Sequence, residues 1–264
     1  MYKKTKLDNG LKIVTSSMPD MRSVALGIWI NVGGRYENEK NKGVAHYLEH
    51  LLFKGSKKYS LRQIKESIEG VGGSLNAFTS EEFTCYLVKA PSRHMNLSLD
   101  ILSDMVLNPL LPPEEVEKEK TVIIEEIKMY KDLPQSHVYE ILDELMWPGQ
   151  PLGQAIAGSI ETVSRMSRQD IYNFKADNYT MPNMIVSAGG NLKHQDLVKK
   201  VEKIFKDKLH RDKNTFLPVE EKHEKPNLKI FDKATEQTHL ALGFHGLRRG
   251  QEGGTWRPHH HCDV

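Results

Sequence analysis

The sequence has few cysteines, no excess of charge and no long apolar run, and each absence excludes a class of protein. Its 264 residues include two cysteines, Cys85 and Cys262, too few for a disulfide framework or a paired Cys-x-x-Cys zinc site. A net charge of +2, from 37 basic and 35 acidic residues, argues against nucleic acid or an anionic membrane as partner. No stretch approaches the ~20 apolar residues of a membrane span, and the N-terminal lysines lack the apolar core of a secretory signal. We therefore expect a cytoplasmic protein.

What is present is typical of a globular chain, at 38% hydrophobic and 27% charged residues. Residues 7–14 predict a hairpin that turns at Asn9-Gly10, and residues 24–32 predict a buried strand. Polar residues in the strand predicted over 74–79 place it at a sheet edge. The remaining predictions are helices over 44–52, 61–69, 95–106, 112–130, 138–147, 167–178 and 194–209, and strands over 83–90, 183–190, 228–231 and 238–244.

The stretch His46-Tyr47-Leu48-Glu49-His50 carries the chemistry. Apolar residues before, within and after it recur at helical spacing, so His46, Glu49 and His50 share one face of a helix. Two histidines one turn apart can bind a single zinc ion, with the glutamate close enough to act on water. This H-x-x-E-H pattern is typical of the inverzincin metallopeptidases. The alternative is a core helix with two incidental histidines and a solvated glutamate.

A catalytic zinc needs a third protein ligand, and the glutamate-rich helix predicted over 112–130 offers candidates. Glu119 and Glu126 share a stripe with the apolar Ile123, which favours them over solvated glutamates of the same helix. On spacing alone, Glu126 is favoured only modestly over Glu125. A second cluster, His259-His260-His261-Cys262, lies in a tail without periodicity. We interpret it as unstructured sequence rather than a metal site.

Several stretches, in the same order along the chain, resemble the M16 (pitrilysin-like) metallopeptidases. The resemblance covers about residues 1–249 and favours the processing-peptidase-like branch, which is of bacterial and mitochondrial type. The stretches that carry it are Gly34 with 43–56, then 71–79, 119–127, 178–184 and 235–239.

The resemblance implies a fold and an activity. The fold is α+β, a mixed and largely antiparallel β-sheet backed by helices (the M16 LuxS/MPP-like metallohydrolase fold). The activity is that of a zinc-dependent endopeptidase acting on peptides or unfolded protein segments, with one Zn²⁺ per chain. By position, Glu126 joins His46 and His50 as the third zinc ligand.

The remaining site residues also follow from the resemblance. Glu49 is the general base, and Glu119 is a glutamate that supports the site. Asn76 and Ala77 fall on the strand to which substrate would add through its backbone.

Members of this family usually carry two similar halves that close around the substrate, and the second half contributes an arginine–tyrosine pair. No such match follows Leu247, so we expect a catalytic domain over 1–217, a linker over 218–227 and the start of a second domain over 228–264. The expected partners are a peptide substrate and a second M16 half or a homo- or hetero-dimer partner. The alternative function is a catalytically silent fragment or a non-catalytic structural subunit of such an assembly.

Overall fold

A computed structural model describes residues 2–206, 215–220 and 225–246. Several helices begin where the sequence supplies a starting signal; the helix Leu61–Glu69, for example, starts after Ser60, whose hydroxyl and Gln63 form a capping box. The strands are β1 (Tyr2–Lys6), β2 (Lys12–Ser17), β3 (Ser23–Ile30), β4 (Ser74–Thr79), β5 (Thr84–Pro91) and β6 (Met184–Gly190). The helices are α1 (Val44–Leu52), α2 (Leu61–Glu69), α3 (Met95–Leu107), α4 (Pro113–Asp132), α5 (Pro134–Met146), α6 (Ile160–Arg165), α7 (Arg168–Asn178) and α8 (His194–Phe205).

The six strands form one sheet in the order β1-β2-β6-β3-β5-β4. Every neighbouring pair is antiparallel except β2 and β6, which run parallel. Because β6 is inserted between β2 and β3, the chain up to α8 belongs to the same folded unit as the N-terminal strands. The predicted α+β fold with a mixed, largely antiparallel sheet is confirmed, and β4 lies at the edge as its polar residues indicate.

Helices cover one face of the sheet, and the hydrophobic core lies between this face and the helices. Strand residues alternate between the two faces, so Ile28 and Val186 are fully buried while Trp29 and Ile185, one position along, are half-buried. Helix α8 is fastened to this side by His194, whose two ring nitrogens lie 2.8 Å from the hydroxyls of Thr5 and Thr15.

Most predicted elements are present, and the differences have local causes. Helix α5 begins at Pro134 rather than Val138, because a proline is tolerated in the first turn of a helix and its fixed φ suits that position. The short helix α6 was not predicted, although Ser159 and Thr162 form a capping box at its start.

The strands predicted over 228–231 and 238–244 are wrong. A strand needs a partner for its backbone groups, and no described residue pairs with either segment. The two segments instead lie along α5, where Lys229 forms an ion pair with Glu144 and Gly243 lies close to Leu142 and Met146. The alternation of apolar residues indicated strands in these segments, but a strand forms only where a neighbouring strand is available to pair with it.

The one-sided core predicts different costs for the same substitution on adjacent strands. Ile28→Ala removes a fully buried side chain and should lower the free energy of unfolding by about 2–5 kcal/mol. Ile185→Ala, on the opposite face, should cost clearly less, as measured by urea unfolding of both variants. Equal losses would mean that both faces of the sheet are equally packed.

Candidate metal centre and substrate edge

The motif helix α1 receives its N-terminal cap from a distant side chain. Gly43, which precedes it, has φ 88° and no side chain, and a Cβ there would lie 2.5 Å from the carbonyl oxygen of Ala157. The buried carboxyl group of Glu37 supplies the cap instead, and its two oxygens accept hydrogen bonds from the N–H groups of Gly43 at 2.7 Å and Ala45 at 2.8 Å. Two of the unpaired donors that every helix start presents are satisfied in this way.

Packing buries one face of α1 and leaves the other face accessible. Leu48, Leu51 and Leu52 are fully buried, and the hydroxyl of Tyr47 donates to the carbonyl of Val116, which ties α1 to α4. The apolar face of α1 is therefore buried in the core. The motif's polar side chains are left on the side that faces α4 and the edge of the sheet.

Three of the predicted site residues meet at one point. His46 and His50 from α1 and Glu126 from α4 offer ligand atoms that all lie within 4.8 Å of one another. Nε2 of His46 is 3.8 Å from Oε2 of Glu126, and Nε2 of His50 is 3.6 Å from the same oxygen. The cluster joins parts of the chain that are 76 positions apart, since 126 − 50 = 76.

These residues fit a zinc ion in both spacing and chemistry. Zinc bonds of ~2.0–2.1 Å in a tetrahedron put donor atoms about 3.4 Å apart, close to the separations observed. Two imidazoles and one carboxylate are a donor set that catalytic zinc uses. Burial, with a smaller contribution from His50, lowers the pKa of His46 to about 4, which keeps that imidazole neutral and able to bind a metal.

The structure distinguishes the two neighbouring glutamates that spacing left open. Glu126 turns towards the histidines and its side chain is 23% exposed. Glu125 points outward with 64% exposure and pairs with Lys128 one turn along. One residue along a helix rotates the side chain by about 100°, so only one of two adjacent glutamates can face α1.

Glu119 lies behind the cluster and holds one of its members. Its Oε2 is 3.0 Å from Nδ1 of His50, and its Oε1 pairs with the ammonium of Lys54. Burial alone would raise the pKa of Glu119, but these two partners outweigh burial and hold the pKa below its usual value. A carboxylate on Nδ1 fixes the histidine ring so that Nε2 faces the cluster.

Glu49 lies beside the cluster, and its main contact comes from the sheet edge. The hydroxyl of Thr79, the last residue of β4, donates to Oε2 of Glu49 at 2.5 Å. Burial raises the pKa of the Glu49 carboxyl, Thr79 and His50 lower it by smaller amounts, and Glu126 raises it further. A carboxyl with a raised pKa near a metal-binding cluster is suited to accepting and releasing a proton.

Asn76 and Ala77 lie on β4, which has a neighbouring strand on one side only. Ala77 is half-buried against the core, whereas Asn76 is exposed. The backbone N–H of Ala77 donates to Oδ1 of Asn76 at 2.9 Å, so this N–H points away from β5 towards the open edge. The structure thus places both residues where a further strand could pair.

The turn of the β4–β5 hairpin is clamped by the segment that leads into α1. Gly34 N–H donates to the carbonyl of Ser80 at 3.2 Å, and Arg35 N–H donates to that of Glu81 at 2.8 Å. The guanidinium of Arg35 also pairs with Glu82 at 2.5 Å. The chains approach so closely that a Cβ on Gly33 would lie 2.0 Å from the Ser80 carbonyl oxygen, which explains the glycine.

Three residues of this arrangement were missed by sequence reasoning: Glu37, Lys54 and Thr79. An acid ahead of a helix whose N-cap residue is glycine was a usable signal for Glu37. Nothing local marked Lys54 or Thr79, since their partners are remote in sequence. The cluster His259-His260-His261-Cys262 lies outside the described residues.

Two profiles of one peptidase family match the sequence. Residues 12–160 match the profile of the insulinase family, peptidase family M16, and residues 165–253 match that of the peptidase M16 inactive domain. The chain belongs to the M16 peptidase family. The boundary between the two matches is not a boundary of the fold, because β6 lies beyond it and pairs within the first sheet.

Curated relatives carry names that agree with this membership. An uncharacterized zinc protease of Bacillus subtilis, YmxG, is 40% identical over 253 residues, covering 96% of this chain and 61% of that protein. An uncharacterized zinc protease of Rickettsia bellii is 37% identical, covering 92% of this chain and 58% of that protein. The chain therefore spans about three fifths of the length of these relatives.

A solved structure supports the fold. The crystal structure of a protease from Helicobacter pylori superposes with a TM-score of 0.78 at 24% identity, covering 84% of this chain and 54% of that one.

Among the described residues, no helix is long and apolar enough to cross a membrane. The cytoplasmic location stays a prediction, as does the division into domains at 217 and 227.

The capping role of Glu37 predicts a pH-dependent loss of stability. Glu37→Gln keeps the side-chain shape but replaces one of the two accepting oxygens with an NH2 group, which cannot accept from the backbone N–H, so we expect a loss of about 1–3 kcal/mol near pH 5. Burial raises the folded-state pKa of Glu37 from 4.5 to about 8. Its stabilising contribution is therefore complete below pH 4.5 and is lost as pH rises through about 8. The gap in unfolding free energy between wild type and variant should narrow over that range.

The matched control is Glu39→Gln, an exposed glutamate in the same loop that pairs with Lys42. It should change the unfolding free energy by less than about 0.5 kcal/mol, the usual range for surface substitutions. Urea unfolding at a series of pH values measures both variants. A gap for Glu37→Gln that stays constant with pH would contradict the assignment.

Proposed function

We propose that the chain is the metal-binding and catalytic part of a zinc-dependent endopeptidase that cleaves peptides or unfolded protein segments. The observation that carries the proposal is the convergence of His46, His50 and Glu126 beside the carboxylate of Glu49. Family membership supports it, as does the naming of the relatives as zinc proteases.

The ligands we propose are His46, His50 and Glu126, for one zinc ion per chain. Glu119 orients His50 through Nδ1, and Lys54 holds Glu119. Zinc supplies Lewis acidity, which polarises the scissile carbonyl and makes water a stronger acid at neutral pH. The surrounding carboxylates favour positive charge at the site, since they raise the pKa of His50 despite its burial.

Glu49 performs the proton transfer in this proposal. Its carboxylate accepts a proton from the attacking water and returns it to the leaving amine nitrogen. The substrate adds to β4 as a further strand, with the outward backbone of Ala77 and the amide of Asn76 as its first partners. Strand addition holds the peptide extended and suits unfolded segments, because a folded strand is already paired.

We further propose that a second domain completes the active enzyme, from the region after residue 227 onwards or from a partner chain. The two segments along α5 support this, since Leu240, Leu242 and Phe244 are 72–86% exposed in the described structure. Apolar side chains at such exposure normally meet a covering surface. The alternative, a catalytically silent or structural subunit, predicts zinc binding without turnover even when that covering part is supplied.

The central experiment measures zinc content and cleavage of a quenched peptide by the chain and by a version extended with the corresponding part of the Bacillus subtilis relative. Zinc-dependent cleavage by either form supports the endopeptidase. Zinc binding without cleavage by both forms supports the silent subunit instead.

Removing the proposed base separates chemistry from metal binding. Glu49→Gln keeps size and polarity but cannot accept the proton, so hydrolysis should fall about 10²–10⁴-fold. Metal analysis should still find about one zinc per chain, because Glu49 is not among the proposed ligands. Wild-type turnover in Glu49→Gln would reject the assigned role.

Three of the glutamates of α4, Glu126, Glu119 and Glu125, should differ in their effect on zinc binding according to their place relative to the cluster. Glu126→Gln should abolish stoichiometric zinc binding, because a carboxylate ligand is lost. Glu119→Gln should weaken zinc binding by about 10–100-fold, because it acts through His50. Glu125→Gln is the matched control and should bind zinc as wild type does, as measured by competition with a chelating indicator. Loss of zinc in Glu125→Gln would instead mean that α4 is rotated by one residue.

A further inference from the structure

We propose that Thr79 is a positioning residue that holds the carboxylate of Glu49 and couples it to the occupied substrate edge; this rests on the function proposed above. Its hydroxyl donates to Oε2 of Glu49 at 2.5 Å. Among the described residues, Thr79 is the one side chain that donates a hydrogen bond to that carboxylate. Thr79 lies on β4 and Glu49 on α1, so the contact joins the substrate strand to the motif helix.

The contact restrains a side chain that otherwise has several positions to choose from. A glutamate has three rotatable side-chain torsions, and the neighbouring carboxylate of Glu126 repels it. Threonine is stiff at χ1, so its hydroxyl direction is set by the strand. With Oε2 held by Thr79, the position of the other oxygen is also fixed, and that oxygen is the one left for proton transfer.

The backbone of Thr79 faces the other way, towards the open edge. The N–H of Ser80 donates to the carbonyl of Phe83 at 2.8 Å, which closes the hairpin. In an antiparallel pair, residues alternate between bonding their partner and facing outward, so Thr79, opposite Thr84, faces outward. Ala77, two residues earlier, shows the same orientation through its bond to Asn76. A peptide added along β4 would therefore pair with the backbone of the residue whose side chain holds the base.

The frame around this contact is rigid at both ends. The turn after Thr79 is bonded to Gly34 and Arg35. The partner strand is fastened by Thr84, whose hydroxyl donates to the carbonyl of Val32 at 3.0 Å. The same segment continues to Glu37, which caps the helix that carries Glu49. One stretch of chain therefore sets the distance between Thr79 and Glu49.

The test compares Thr79→Val, which keeps the shape and removes the hydroxyl, with Thr79→Ser, which keeps the hydroxyl. Thr79→Val should lower kcat about 10–100-fold, the usual effect of a supporting contact, with KM and zinc content little changed. Thr79→Ser should recover most of kcat. Turnover is measured in whichever form of the enzyme, the chain or its extended version, cleaves peptide.

A second readout does not depend on activity. Thermal unfolding of Thr79→Val, Glu49→Ala and the double variant forms a double-mutant cycle. If the bond is present, the Tm shifts are non-additive, and the second substitution changes Tm by less than it does in wild type. Core disruption by valine would appear as an equal shift in both backgrounds.

Each outcome decides a separate statement. Additive Tm shifts, wild-type kcat in Thr79→Val, or a Thr79→Ser variant as slow as Thr79→Val would each overturn the positioning role. Absence of zinc-dependent turnover in both wild-type forms would overturn the proposed function. In that case the cycle still decides whether the Thr79–Glu49 bond exists.

Discussion

The hydrogen bonds from the N–H groups of Gly43 and Ala45 to the buried carboxylate of Glu37 are the constraint on which the rest of the site depends. A helix start leaves backbone donors without partners, and the N-cap residue of α1 is Gly43, which has no side chain to accept from them. The preceding loop therefore supplies the acceptor. Because that loop also clamps the turn of the β4–β5 hairpin, the motif helix and the sheet edge are located by a single piece of chain.

The site divides its tasks among elements that are distant in sequence. Helix α1 presents two histidines and Glu49 on one face, because its apolar face is packed in the core. Helix α4 contributes Glu126 to the cluster and Glu119 to His50, one heptad apart and so on the same side. Three carboxylates and one ammonium, from Lys54, leave the site net negative, and this favours a divalent cation.

The open edge of the sheet at β4 has unpaired backbone groups, with which another strand could pair. Unpaired strand edges invite association, and β4 is short, with polar side chains at several positions. The side chain of Asn76 accepts the outward N–H of Ala77, which shields that donor until a better partner arrives. In the proposed function, a peptide that paired with β4 would replace this intrachain hydrogen bond with an intermolecular one at little net cost.

Local patterns in the sequence were enough to predict most helices and strands and to locate the histidine–glutamate motif on a helix. Helical spacing around His46-Tyr47-Leu48-Glu49-His50 predicted α1 and its polar face, the Asn9-Gly10 turn predicted the first hairpin, and polar residues predicted that β4 lies at the edge. These succeed because periodicity and turn preference are properties of consecutive residues. The resemblance to a family then selected Glu126, where spacing had left Glu125 open.

Which remote groups meet depends on how the elements pack in three dimensions. The bonds of Glu37 to α1, of Lys54 to Glu119 and of Thr79 to Glu49 join positions separated by 6 to 65 residues. No local pattern encodes such contacts, because they depend on how whole helices and strands pack. The same reason explains the error over 228–231 and 238–244, where the alternation of a strand is present but the neighbouring strand is not. A sequence fixes what each residue can offer, and packing fixes what it meets.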